Sequence, residues 1–282
     1  MLYAQVDTAA HYFADGKLQT LIRVSDEASL MIDRSVLSGR GFAQGISGTD
    51  GARISLNASV LAKCTANADG GALALSHSHA HIQDSIIGQC RARLNGGTVF
   101  AYHSSLMVKN VHVVNGTAAQ DGGAFYLKGR SRAIITRSVI DGGKAAGSDR
   151  AISDGSGGGI YVEDSDLTLT NSTVVRSSAG DRGGAMCVMN GGNVQVRRVI
   201  FEHNMVTNSL RPNQQNALGG ALYTGGGYVN VTHSRFVRNR ASSGGSILVF
   251  VRFPQSRVMR VTASIGAFSM QLVSFNRARL FW

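Results

Sequence analysis

Apolar and polar residues alternate at a spacing of two along most of the chain, which is the pattern of half-buried β-strands. The pattern itself repeats. A Gly-Gly pair followed by a small residue and an apolar stretch occurs seven times, with its second glycine at Gly71, Gly97, Gly123, Gly159, Gly184, Gly220 and Gly245. The intervals are 26, 26, 36, 25, 36 and 25 residues. A nearly constant period interrupted by two insertions predicts a solenoid in which each repeat is one coil.

Each repeat contains three short apolar segments. The first has two inward residues two positions apart, such as Leu30 and Ile32, and the second has one large apolar residue, such as Leu37. The third follows the Gly-Gly pair and contributes one inward residue per coil: Leu73, Val99, Phe125, Tyr161, Met186, Leu222 and Ile247. Three short strands per coil, joined by Gly, Asn and Asp corners, predict an all-β, single-stranded, right-handed parallel β-helix of about eight to nine coils.

The repeats also predict the domain organisation. We expect a partial coil or cap at 1–28, β-helix repeats at 29–253 with insertions at 144–157 and 205–218, and an irregular last coil or C-terminal cap at 254–282. The tail Leu280-Phe281-Trp282 either caps the last coil or marks a fragment of a longer solenoid, and the lack of a polar capping face favours the fragment. The first residues lack the pattern of a signal peptide, and no apolar run has the ~20 residues of a membrane span.

Four copies of Gly-Gly-Ala-(Leu/Phe/Met) begin at Gly70, Gly122, Gly183 and Gly219, and Phe-x-x-Asn occurs at Phe201–Asn204 and Phe236–Asn239. Over about residues 30–250 this pattern resembles the polymorphic outer membrane protein repeats, a branch of the pectin-lyase-like β-helix superfamily. The resemblance implies an extracellular or cell-surface location and a structural or adhesive role.

The sequence does not indicate catalysis. The Asn-Thr-Asp, Asp-Asp, Gly-His-Gly and Arg-Ile-Lys signatures of galacturonase-like relatives are missing. Asp69, Asn95 and Asp121 share one corner column. They either form a Ca²⁺ site or are simply residues that turns prefer. We therefore expect no enzyme and no cofactor. The alternative is a polysaccharide-binding or polysaccharide-degrading protein that uses the corner from which both insertions leave. The acidic residues of the insertions are Asp149 and Asp154 alone.

Histidines and cysteines form two small columns. His77, His79 and His81 are spaced by two, and His103 falls in the His77 column one coil later, so the four are weak candidates for a Zn²⁺ or Cu²⁺ site or are merely outward polar residues. Cys64 and Cys90 are 26 residues apart in one corner column. They either form a disulfide or stack as two thiols.

Positive charge is concentrated in the last part of the chain. The net charge is +11, and residues 203–282 contain nine arginines but no lysine and no acid. Seven of the nine are the candidate polyanion-binding residues: Arg211, Arg235, Arg238, Arg240, Arg252, Arg257 and Arg260. Guanidinium groups suit carboxylate, sulfate and phosphate, so an acidic glycan, an anionic surface or an acidic protein is the expected partner. The alternative is a solvated surface in an arginine-rich protein, and no motif predicts specific nucleic-acid binding.

Two outward sets of residues are candidate docking surfaces. Val36, Val60, Ile86, Val139 and Ile200 form an apolar stripe, and β-branched residues are also common on exposed strands. Phe100, Tyr126 and Tyr223 either offer a platform on which sugars stack or simply cover the sheet. The open ends of a β-helix are expected to contact another protein domain.

Overall fold

A computed structural model describes residues 2–3, 20–147, 155–207, 217–241, 245–251, 260–263 and 270–274, with side chains described within 20–247. The regular elements of these ranges are β-strands. In chain order they are β1 (Leu2–Tyr3), β2 (Thr20–Val24), β3 (Ser29–Asp33), β4 (Val36–Ser38), β5 (Gln44–Gly48), β6 (Arg53–Asn57), β7 (Val60–Ala62), β8 (Thr65–Ala66), β9 (Leu73–Ser76), β10 (His79–Gln83), β11 (Ile86–Gly88), β12 (Arg91–Ala92), β13 (Val99–Tyr102), β14 (Ser105–Lys109), β15 (His112–Val114), β16 (Thr117–Ala118), β17 (Phe125–Lys128), β18 (Arg132–Thr136), β19 (Val139–Asp141), β20 (Lys144–Ala145), β21 (Ile160–Glu163), β22 (Asp166–Thr170), β23 (Thr173–Val175), β24 (Ser178–Ala179), β25 (Met186–Met189), β26 (Asn193–Arg197), β27 (Ile200–Glu202), β28 (Met205–Val206), β29 (Leu222–Gly225), β30 (Tyr228–Val237), β31 (Ile247–Val251), β32 (Arg260–Ala263) and β33 (Met270–Ser274).

The strands stack into three parallel sheets that run the length of the solenoid. Face 1 is a 17-stranded sheet to which most coils contribute a five-residue and then a three-residue strand. Face 2 has six two-residue strands, and face 3 has ten strands. We number coils 1 to 8 by their first strand on face 1, which is β3, β6, β10, β14, β18, β22, β26 and β30 in turn. The prediction of a right-handed parallel β-helix is confirmed.

The apolar core lies between the three faces. On face 1, Leu30 pairs with Ile54 and Ile32 with Leu56, and each later coil keeps this register, so like positions stack directly. The predicted inward residues of face 1 are buried, and the rings of Phe201 and Phe236 stack 4.8 Å apart in coils 7 and 8. In the described part of the chain, no helix is long and apolar enough to span a bilayer.

One predicted core position is wrong. Phe125 pairs with Ile160, and Tyr126 pairs with Tyr161, so Tyr161 lies in the outward column of face 3 rather than in the core. The glycine that aligns with Gly123 is therefore Gly158, one residue earlier than predicted. Three consecutive glycines, Gly157 to Gly159, make the pair ambiguous in the sequence. Because side chains alternate along a strand, this shift of one residue moves Tyr161 to the opposite face.

Buried polar side chains hold the bends between the strands. At the bend within face 1, the backbone N–H of Ser59 donates to Ser85 Oγ at 3.0 Å, and Ser59 Oγ donates to the Asn57 carbonyl at 2.6 Å. Other coils repeat this arrangement, including Ser234, whose Oγ accepts the Val199 N–H at 3.1 Å. At the corner between faces 1 and 2, Asn239 Oδ1 accepts the Asn204 N–H at 3.0 Å. These bonds satisfy backbone groups that the strand ladders leave unpaired.

Candidate functional site

Five exposed arginines lie on coils 7 and 8, from the end of β26 across the three-residue part of face 1 to the first position of face 2. They are Arg197, Arg198, Arg235, Arg238 and Arg240, and we call this surface the arginine face. Coil 7 is bonded to coil 8 with Ile200 opposite Arg235 and Glu202 opposite Val237. Side chains on adjacent coils are therefore about 4.8 Å apart along the solenoid axis.

The sequence around each arginine places it on the surface. Ser234 and Phe236 are buried, so the alternation of β30 turns Arg235 outward. Arg198 and Arg238 occupy tight corners with positive φ angles of 54° and 51°. The hydrogen bonds of Ser234 and Asn239 hold the backbone on either side of Arg235 and Arg238. These bonds link the backbone of coil 7 to side chains of coil 8 beneath the arginine face.

The arginine face has little acidic charge to balance it. In the described part of the chain, none of its five arginines forms an ion pair. From residue 193 onward the sequence has one acid, Glu202, whose Oε1 is 3.4 Å from His203 Nδ1. Exposed guanidinium groups that lack a carboxylate partner remain free to bind an external anion.

Some basic side chains on the preceding coils have acidic partners. Lys128 Nζ is 3.5 Å from Glu163 Oε2, between the face 3 strands of coils 4 and 5, and Arg132 Nε is 3.8 Å from Asp166 Oδ2, between coils 5 and 6. Arg176 binds Asp141 with two nitrogens, including Nε to Oδ1 at 3.0 Å. Other exposed arginines of the preceding coils, such as Arg53, Arg91 and Arg93, form no ion pair among the described residues, so unpaired cations also occur on coils 2 and 3.

The structure places only part of the predicted polyanion-binding set. Arg235, Arg238 and Arg240 lie together on the arginine face. Arg211, Arg252 and Arg257 lie outside the described residues, and Arg260 begins β32 opposite Asn230 without a described side chain.

Arg197 and Arg198 belong to the arginine face but were not among the predicted residues. A charge count divided at residue 203 separates them from Arg235. The 35-residue register between Ile200 and Arg235 places them beside it. Applying the repeat spacing to the charged residues would have found them.

The histidine candidates do not converge on one point. The rings of His77 and His103 stack with centroids 5.0 Å apart, and the Tyr102 ring meets both edge-on. His79 and His81 are exposed on β10. Among residues with described positions, no three His, Cys, Asp or Glu side chains are grouped to hold a metal ion.

The structure has Cys64 and Cys90 as free, buried cysteines. Their Sγ atoms lie 3.4 Å and 3.3 Å from the carbonyl oxygens of Ala62 and Gly88. A hydrogen bond with Cys90, together with burial, raises the pKa of the Cys64 thiol far above its ordinary value. A thiol held in its protonated form is a poor nucleophile.

The outward aromatic residues of face 3 cover the sheet. Tyr126 and Tyr161 stack with ring centroids 4.8 Å apart, and Phe100 stacks on Tyr126 at 5.6 Å. Arg182 packs over the Tyr223 ring at 5.4 Å. Tyr126, Tyr161 and Tyr223 are buried. A sugar stacks on an exposed ring face, whereas neighbouring rings cover Tyr126 and Tyr161 and Arg182 covers Tyr223, so these residues serve mainly to cover the sheet.

Carboxylates near the insertion corner serve as hydrogen-bond acceptors within the fold. Asp69 accepts the Asn95 N–H at 2.8 Å, and Asp121 accepts the Ser156 N–H at 2.7 Å, so both carboxylates link neighbouring coils. Glu163 accepts bonds from Asn190 and Tyr126. Burial opposes ionisation of Glu163, but these hydrogen bonds outweigh it and hold the pKa of Glu163 below its ordinary value.

A family model described as right handed beta helix region matches residues 20–197, more than half of the chain. The chain belongs to the right-handed β-helix family. Searches of the curated proteins and of the solved structures gave no match. The fold of this β-helix protein fits a surface or polysaccharide-related module. The family match ends at Arg197, whereas the parallel pairing continues through coil 8 in the same register.

Proposed function

We propose that this β-helix protein is a non-enzymatic extracellular or cell-surface module that binds polyanions through the arginine face. The observation that carries the proposal is the set of five exposed guanidinium groups on two adjacent coils, with Glu202 as the sole acid after residue 193. A polymer bearing carboxylate, sulfate or phosphate groups would contact several of them at once.

A structural or adhesive role agrees with the motifs of these two coils. In both copies of Phe-x-x-Asn the phenylalanine packs in the core, and the asparagine bonds along the corner column. These residues stabilise the coils that display the arginines. The finer resemblance to polymorphic outer membrane protein repeats rests on such motifs, and we take the surface location from it.

The absence of catalysis is part of the proposal. A glycosidase needs a carboxylic acid whose pKa is raised so that it can donate a proton near neutral pH. The pKa of Glu163 is shifted downward, and Asp69 and Asp121 accept backbone hydrogen bonds. These side chains suit a structural role better than the polysaccharide-degrading alternative.

Retention on a heparin column tests the proposal. We expect the triple variant Arg235→Gln, Arg238→Gln and Arg240→Gln to elute at clearly lower salt than the wild type. The matched control carries Arg53→Gln, Arg91→Gln and Arg93→Gln, which removes the same charge from exposed positions on coils 2 and 3. Equal losses in the two variants would mean that net charge alone causes retention.

A further inference from the structure

The arginine face also carries apolar side chains that are open to solvent. Met205 is 41% exposed, and Ile200 and Val237 are half-buried on the same two coils. Met205 lies opposite Arg240, and Ile200 lies opposite Arg235. Apolar groups of coil 7 therefore stand directly beside guanidinium groups of coil 8.

Elsewhere on face 1, the large apolar residues that are exposed stand opposite uncharged or histidine side chains. Val36 pairs with Val60, and Ile134 pairs with Met107 and Thr168. The other exposed apolar residues of this face have similar partners, and no arginine lies opposite any of them among the residues that the structure describes. The pairing of apolar and cationic groups is thus a property of the arginine face.

The arginine face has the shape of an edge and not of a groove. Arg198 and Arg238 occupy tight corners at which the coil turns around the buried core, so the side chains between and beside them project outward. A convex surface of this kind contacts a wide, flat partner better than it encloses a small soluble ligand. The surface of an anionic bilayer is such a partner, because its headgroups attract cations and the boundary of its acyl chains accepts apolar side chains.

We infer that the arginine face binds the surface of an anionic lipid bilayer, on which the protein lies through coils 7 and 8. This inference rests on the proposed function of the same surface. The guanidinium groups bind phosphate and carboxylate groups of the lipids, and Met205 and Ile200 enter the boundary between headgroups and acyl chains. A soluble polyanion such as heparin uses the arginines alone, since it offers no apolar phase to Met205 and Ile200.

Cosedimentation with lipid vesicles tests the inference. We expect the wild type to bind vesicles of mixed phosphatidylcholine and phosphatidylserine, and not vesicles of phosphatidylcholine alone. The double variant Ile200→Ser and Met205→Ser keeps every charge of the arginine face. It should bind the phosphatidylserine vesicles about tenfold more weakly and retain its wild-type elution from heparin. The matched control Met107→Ser and Ile134→Ser, which removes exposed apolar groups from coils 4 and 5, should bind the vesicles like the wild type.

The heparin column separates the fate of this inference from that of the proposed function. A wild type that is retained on heparin but does not bind the anionic vesicles would overturn the inference and leave the proposed function standing. Equal vesicle binding by the two serine variants would overturn it as well, because the apolar groups of coil 7 would then not reach the bilayer. A wild type that binds neither heparin nor vesicles would overturn both.

Discussion

Coils 5 and 6 differ from coils 7 and 8 in how charge is matched across the stack. On the first pair, Arg132 lies opposite Asp166 in register, and the neighbouring Lys128 pairs with Glu163, so cation meets anion between coils. On the second pair, Arg235 lies opposite Ile200, and Arg198 lies beside His233. The same stacking rule produces a compensated surface in one place and the arginine face in the other. Net charge becomes informative only when it is mapped onto the coils.

Both regions depend on the core below them, and breaking it should give the largest effect. Phe201 is fully buried and stacks on Phe236 beneath the arginine face. Phe201→Asp should unfold or aggregate the protein, because an unpaired buried charge costs several kcal/mol. Thermal unfolding followed by circular dichroism measures the effect. Val36→Asp serves as the control, since that side chain is 71% exposed on the same face, and a comparable loss there would contradict the inward assignment of Phe201.

Supplying the missing acid should convert the arginine face into a surface like that of coils 5 and 6. Ile200→Glu places a carboxylate opposite Arg235, as Glu163 lies beside Lys128. We expect retention on heparin to fall clearly while stability changes by less than about 1 kcal/mol, because exposed ion pairs contribute little. Thr173 and His112 occupy this column on other coils, so it accepts polar residues. Unchanged retention would show that Arg235 does not contact the polymer.

Much of this comparison was predictable from the sequence, because a repeat converts chain spacing into spatial neighbours. The inward pairs such as Val194 and Val196 follow from alternation alone, and they are buried. The position of Tyr161 was not predictable, because three consecutive glycines precede its strand. Any two of them can be aligned with the Gly-Gly pair of the other coils, and this choice decides whether Tyr161 points inward or outward. A similar difficulty applies to Ser78 and Ser104, which form a second serine ladder at 3.1 Å that only the corner geometry reveals.

Acid titration should distinguish the two regions further. Hydrogen bonds from Asn190 and Tyr126 hold the pKa of Glu163 below its unfolded value despite burial. A lowered folded-state pKa stabilises the protein above the unfolded pKa, and this contribution is lost as the pH falls through the folded value. Stability should therefore fall on acidification below about pH 4.5 less steeply in Glu163→Gln than in the wild type. Urea unfolding at several pH values checks this, and identical slopes would contradict it.

The smallest expected effect separates binding from stability at a single corner. Arg198 and Arg137 occupy the same kind of corner on coils 7 and 5, with φ angles of 54° and 51°, and both are exposed. A non-glycine residue is strained at such angles, so glycine relieves strain at both corners. Glycine also makes the unfolded chain more flexible, which offsets part of this gain. Arg198→Gly and Arg137→Gly should therefore each stabilise the protein by only about a few tenths of a kcal/mol.

The two glycine variants should differ in heparin retention, because Arg198 belongs to the arginine face and Arg137 lies two coils away from it. We expect Arg198→Gly to elute at lower salt than Arg137→Gly, although both lose one positive charge and keep the fold. Equal elution would place Arg198 outside the binding surface. A drop in melting temperature for Arg198→Gly alone would mean that the Arg198 side chain stabilises the corner. Its effect on binding could then not be separated from its effect on stability.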